Sequence, residues 1–127
     1  MNVGLILAVG VGGFLGAIMR FALSLWVQKL SASTFPFGTL SVNILGSLLM
    51  GFLFMYFSQI NFSTYQKLIF TTGLLGALTT FSTFSMDTVI LLQQELYLKA
   101  ISNVFLNVIL SVGATFLGIL LFKFTFK

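Results

Sequence analysis

The chain has 127 residues, 58% of them apolar and 6% charged, with a mean hydropathy of +1.12; a soluble domain carries about a quarter charged residues to face water, so most of this surface faces lipid. There is no His and no Cys, which removes imidazole acid/base chemistry, thiol nucleophiles, Cys/His zinc sites and disulfides. The formal charge of +4 comes from cations scattered singly along the chain, without the basic run that nucleic-acid binding requires.

A helix needs about 20 mostly apolar residues to cross the bilayer, and the uncharged runs divide residues 1–127 into four such spans within one integral membrane domain. The first span is 3–27. It lacks a basic leader and its apolar stretch exceeds that of a signal peptide, so it reads as a retained helix. Gly12, Gly13 and Gly16 give it a small-residue face, with Gly12 and Gly16 in GxxxG spacing for close helix packing. Arg20, one turn after Gly16, either snorkels to the interface, attracts an anion at a pore mouth, or supports a neighbouring helix end.

Residues 30–66 contain no charge and are too long for one helix. Ser31 to Pro36 reads as a loop ending in a helix-start proline and Ser58 to Tyr65 as a second loop, leaving a second span at 37–58. Asn43 lies about two turns into it, with Ser47 one turn on and Gly46 on a neighbouring face. Its amide either joins helices or donates its NH2 to an ion.

The third span, 67–93, contains Gly73-Leu-Leu-Gly76-Ala-Leu-Thr79-Thr80-Phe81-Ser82-Thr83-Phe84-Ser85. Two glycines and five hydroxyls at membrane depth predict a helix broken near its middle. Such a break is tolerated only where it is buried in protein or lines a cavity, where freed carbonyls coordinate cations and freed N–H groups anions. The alternative is a continuous helix whose hydroxyls bond to carbonyls one turn back. Phe81 and Phe84 share a helical face, and a phenyl ring has an electropositive edge suited to an anion. The fourth span, 99–123, carries Ser111 and Thr115 one turn apart beside Asn107, a polar stripe suited to helix joining or to pore lining. The only carboxylates, Asp87 and Glu95, lie near a span end, so no enzyme is expected.

Trp26, Tyr56, Tyr65 and Tyr97 fall at predicted span ends, as interfacial anchors do. With four spans, the N-terminus, the 2–3 loop and the C-terminus share a side holding Lys67, Lys123 and Lys127. The opposite side holds Arg20, Lys29 and Lys99. This balance favours no orientation, and a chain inserted both ways can form an antiparallel homodimer, the two-chain version of an inverted repeat.

The blocks Gly12-Gly13-Phe-Leu-Gly16-Ala-Ile-Met-Arg20-Phe21, Gly38-Thr39-Leu-Ser-Val-Asn43-Ile-Leu-Gly46-Ser47 and Gly73 to Phe84 resemble the Fluc, or CrcB, family of fluoride channels. The resemblance implies an all-α, dual-topology antiparallel homodimer in the bacterial inner membrane, with two pores that let fluoride leak passively out of the cytoplasm and relieve its toxicity. It further implies that Phe81 and Phe84 line the pore with their ring edges, that Asn43 hydrogen-bonds in the ion path, and that Ser111 and Thr115 belong to a polar track. A structural sodium ion is implied at the dimer centre, held by the carbonyls of Gly76 and Thr79 from both chains. Two competitors are a dual-topology small multidrug exporter, whose antiport needs a buried carboxylate that the first span lacks, and a non-conducting assembly subunit.

Overall fold

The computed structural model describes residues 1–127 and is all-helical. Its elements are α1 (Val3–Ser31), α2 (Phe37–Gln59), α3 (Thr64–Leu68), a π-helical stretch (Ile69–Leu75), α4 (Gly76–Leu78), α5 (Phe81–Gln93) and α6 (Tyr97–Thr125). Four helical segments are long and apolar enough to cross a membrane, with α3 to α5 together forming the third, Thr64–Gln93. The expected four spans are present, and their ends differ by a few residues for local reasons. The first runs on to Ser31 and stops where Ala32 turns left-handed at φ 46°. Gln28 holds this corner: its Nε2 donates to the carbonyls of Ser33 and Phe35, while its Oε1 accepts from the Gly38 N–H.

The third span starts at Thr64, inside the stretch expected to be loop. Ser63 and Gln66 form a reciprocal capping box there, which satisfies N–H groups that the first turn otherwise leaves unpaired. The break is at Thr79–Thr80. Both residues are extended, at φ −83°, ψ 156° and φ −151°, ψ 122°, and Thr80 then caps α5 by accepting from the Thr83 N–H at 3.2 Å. Hydroxyl back-bonding occurs as well, with the Thr79 hydroxyl donating to the Leu75 carbonyl and that of Ser85 to Phe81. The segment is therefore broken rather than a continuous helix, and the back-bonding hydroxyls flank the break.

Glycines set the packing. A Cβ on Gly12 would meet the Ile69 carbonyl, and one on Gly16 the Leu74 carbonyl, so α1 lies directly against the backbone of the π-helical stretch. The Cβ position of Gly13 is open, although its backbone nitrogen borders the seam at Gly73; its side-chain direction is one residue further round the helix. α2 and α6 run parallel and touch backbone to backbone, with Gly51 against the Thr115 carbonyl and Gly118 against that of Leu48. Small residues that permit such approach are how membrane helices gain contact without a hydrophobic drive. Between the spans, Val42, Leu75 and Leu78 form the most buried cluster.

The ends agree with a four-span path. Asn2 Nδ2 donates to the Tyr65 hydroxyl at 3.2 Å, and Phe126 packs on Tyr56, so both termini lie beside the 2–3 connection. Lys99 Nζ contacts Thr34 Oγ1 at the opposite end. Trp26, Tyr65 and Tyr97 are exposed, whereas Tyr56 belongs to an aromatic cluster with Phe52, Phe62 and Phe122.

Candidate functional site

The break is held by a side chain from the neighbouring span. Asn43 Oδ1 accepts the Thr80 N–H at 2.8 Å, and its Nδ2 donates to the Thr80 carbonyl at 3.2 Å. The amide thus replaces the partner that an extended residue has in a sheet, which is how non-helical backbone survives at membrane depth. The second Nδ2 proton goes to Asn107 Oδ1 on α6 at 2.9 Å. Asn43 accordingly has helix-joining bonds on both sides while its amide also borders an open cleft.

That cleft, of about 340 Å³, lies between α2, the break, the start of α5 and α6, and its walls include Asn43, Thr79, Phe81, Phe84, Asn107 and Ser111. Phe81 is 78% exposed and Phe84 is 8% exposed, yet their rings adjoin at 5.2 Å between centroids with planes tilted by 58°. A tilted pair sets the positive edge of one ring toward the face of the other, and both residues line the cleft. Ser111 Oγ is buried and has no hydrogen-bond partner. Buried hydroxyls are nearly always paired, so a donor of this kind beside two phenyl rings is suited to meeting an anion.

The other residues expected at the site are placed around this cleft. Thr115 lies one turn beyond Ser111, with its hydroxyl donating to the Ser111 carbonyl at 3.1 Å. Arg20 is half-buried on the opposite side of the break, in a second cleft of about 250 Å³ with Ser24, Thr39, Thr80 and Thr83. In an uninterrupted helix the carbonyls of Gly76 and Thr79 would accept from the N–H groups of Thr80 and Thr83. Those donors instead go to Asn43 Oδ1 and Thr80 Oγ1, so both carbonyls lack their helical partner. Within the chain Gly76 is exposed, its Cβ position meeting only the Thr71 carbonyl at 3.6 Å.

Four polar residues joined in two pairs are not among the expected site residues. Asn103 is fully buried on α6, and its Nδ2 donates to Thr88 Oγ1 at 3.0 Å. Thr39 Oγ1 donates to Asp87 Oδ2 at 2.7 Å, fastening α2 to α5. Asn103, Asn107, Ser111 and Thr115 repeat every four residues, a periodicity that marks one face of α6 and would have drawn Asn103 into the stripe.

The family model described as CrcB-like protein, Camphor Resistance (CrcB), matches residues 7–119. A fluoride-specific ion channel FluC of a Nitratiruptor species is 54% identical over 123 residues, 97% of this chain and 95% of the relative. The protein of the same name from a Sulfurovum species is 57% identical over 119 residues, 94% of each chain. That of Campylobacter lari is 48% identical over 121 residues, 95% of this chain and 99% of the relative.

Proposed function

The chain belongs to the CrcB family, and on that premise we propose that it is a fluoride-specific ion channel, a multi-pass membrane protein that is not an enzyme. The observation that carries the reading is the unpartnered buried Ser111 hydroxyl in the same cleft as the tilted Phe81–Phe84 pair. Transferring even a carboxylate-sized ion into a dry interior costs on the order of 20 kcal/mol before compensation. Compact fluoride costs more, so its path must supply donors already in place. Ser111 offers its hydroxyl, the two rings offer their edges, and Asn43 brings an amide to the same wall. Thr115 extends the polar face of α6 by a turn, and Arg20 draws anions toward the break from the other cleft.

The channel works as an antiparallel homodimer with two pores, lined by both chains, in the bacterial inner membrane. The equal division of Lys and Arg between the two sides supports insertion in both orientations. Exposed apolar side chains along α1 and α6, such as Phe14 and Phe116, leave ample surface for lipid and for a second chain. Fluoride leaves the cytoplasm by passive leak, which relieves its toxicity. A structural sodium ion fits the dimer centre. The carbonyls of Gly76 and Thr79 are without helical donors, and a two-fold axis doubles them to four oxygens, a set without carboxylates. Such oxygens suit a monovalent cation better than magnesium, which dehydrates reluctantly. When bound, the ion supplies positive charge near the pores and ties the two breaks together.

A small multidrug exporter gains no support, because α1 has no acidic residue, and a non-conducting subunit gains none from relatives named as fluoride-specific ion channels. Reconstituted liposomes loaded with fluoride and read with an ion-selective electrode test the proposal. Rapid fluoride release with chloride retained is expected; equal release of both, or of neither, contradicts it.

A further inference from the structure

A chain of amides connects the break to the turn that carries Phe84. Asn43 Nδ2 donates to Asn107 Oδ1 at 2.9 Å. Asn107 Nδ2 donates to both the carbonyl and Oδ1 of Asn103, each at 2.9 Å. Asn103 Nδ2 donates to Thr88 Oγ1 at 3.0 Å, and the Thr88 hydroxyl donates to the Phe84 carbonyl at 2.8 Å. Every link donates in the same direction.

That direction is set at the break by a backbone donor: the Thr80 N–H requires an acceptor, so Asn43 turns Oδ1 to it and leaves one Nδ2 proton for α6. On α6, Asn107 Nδ2 finds two acceptors, the carbonyl and Oδ1 of Asn103, and this turns Asn107 Oδ1 toward Asn43. The two ends favour the same polarity. An amide turned end for end has almost the same shape but exchanges donors for acceptors. Here a flip of Asn43 would set oxygen against Asn107 Oδ1 on one side and NH2 against the Thr80 N–H on the other. Asn103 and Asn107 are buried, at 0% and 6% exposure, so water is not at hand to repair a reversed link.

We infer that Asn107, Asn103 and Thr88 are positioning residues: they keep the NH2 edge of Asn43 on the α6 side of the cleft, beside Ser111, and hold the carbonyl edge away from it. The inference rests on the cleft being the fluoride path, where an amide NH2 attracts the anion and an amide carbonyl repels it. It assigns to α6 the task of reinforcing the dipole direction that the Thr80 N–H sets at Asn43, and of coupling it to the backbone at Phe84. Thr88 is the informative member, because it ends the relay and does not line the cleft.

The test compares Thr88→Val, which keeps the shape and removes the hydroxyl, with Thr88→Ser, which keeps the hydroxyl. Two readouts are taken: fluoride efflux from liposomes, and the side-chain amide signals of Asn43 in nitrogen-labelled protein, assigned by their loss in Asn43→Ser. Thr88→Val should lower flux roughly tenfold, the rate equivalent of about 1.4 kcal/mol, and should shift or split the Asn43 signals. Thr88→Ser should restore both. Asn43 signals in Thr88→Val identical to wild type would overturn the relay, whatever happens to flux. If Thr88→Val does not assemble, Thr88→Ala is read by the same criteria. A wild-type protein without fluoride flux would defeat the channel reading, while the amide signals would still decide the relay.

Discussion

Asn43→Asp separates the structural and ion-facing parts of one side chain. The substitution is nearly isosteric. Aspartate keeps an oxygen for the Thr80 N–H, so the break and the start of α5 retain their anchor. The second oxygen replaces Nδ2, and the bonds to the Thr80 carbonyl at 3.2 Å and to Asn107 Oδ1 at 2.9 Å become contacts between acceptors. Interhelical hydrogen bonds within membranes average about 0.6 kcal/mol and reach about 1.7, so two of them amount to ~1–3 kcal/mol of stability. Protonation of the new carboxyl would return one donor. The variant should therefore fold and assemble, with a reduced melting temperature. Flux should fall further than stability does, by roughly 10-fold or more, because the substitution replaces the positive NH2 edge on the cleft wall with a carboxylate oxygen that repels an anion. Efflux from liposomes at matched protein content and thermal melting in the same detergent measure the two effects. A variant that melts and conducts like wild type would refute both the bonding pattern and the placement of Asn43 in the path.

The aromatic pair offers a second test: Phe81→Ile and Phe84→Ile keep bulk and remove the ring edges, so each should lower fluoride efflux by roughly tenfold or more, equivalent to about 1.4 kcal/mol, with assembly unchanged on size exclusion. Gly12→Ala drives a methyl into the Ile69 carbonyl, whereas Gly10→Ala on the same helix meets nothing within 4 Å; the first should destabilise by ~1–3 kcal/mol and the second should not, and equal melting temperatures would dissolve the seam between α1 and the π-helical stretch. Gly76→Val meets only ordinary contact within its own chain, so loss of dimer and of sodium-dependent melting, with the monomer still helical by circular dichroism, would locate its effect at the partner and the ion. Melting that is equal in sodium and in a large organic cation would argue against a bound sodium.

The spans were legible because the lengths of the apolar runs are set by the bilayer, and charge or proline punctuates them. The break was legible as a region. A cluster of glycines and hydroxyls does not say which residue unwinds, and that choice falls to Asn43, which can satisfy only one extended residue, Thr80. The start of α3 was readable from Ser63 and Gln66, whose spacing is that of a capping box, but the polarity of this stretch also suits a loop. The π-helical stretch has no comparable local signature, since its backbone lies against Gly12 and Gly16 of another span. Asn103 was readable from its four-residue spacing to Asn107, whereas Thr88 is the clearest case of information that arises only in three dimensions. It is an ordinary polar residue in an apolar helix until α5 and α6 are side by side.

Current across a planar bilayer under a tenfold fluoride gradient, with and without an opposing pH gradient, tests passive fluoride conduction most directly. A fluoride channel predicts reversal near the fluoride equilibrium potential, about 59 mV for a monovalent ion, unmoved by the pH gradient. Reversal that follows the proton gradient, or the chloride gradient, would contradict the account.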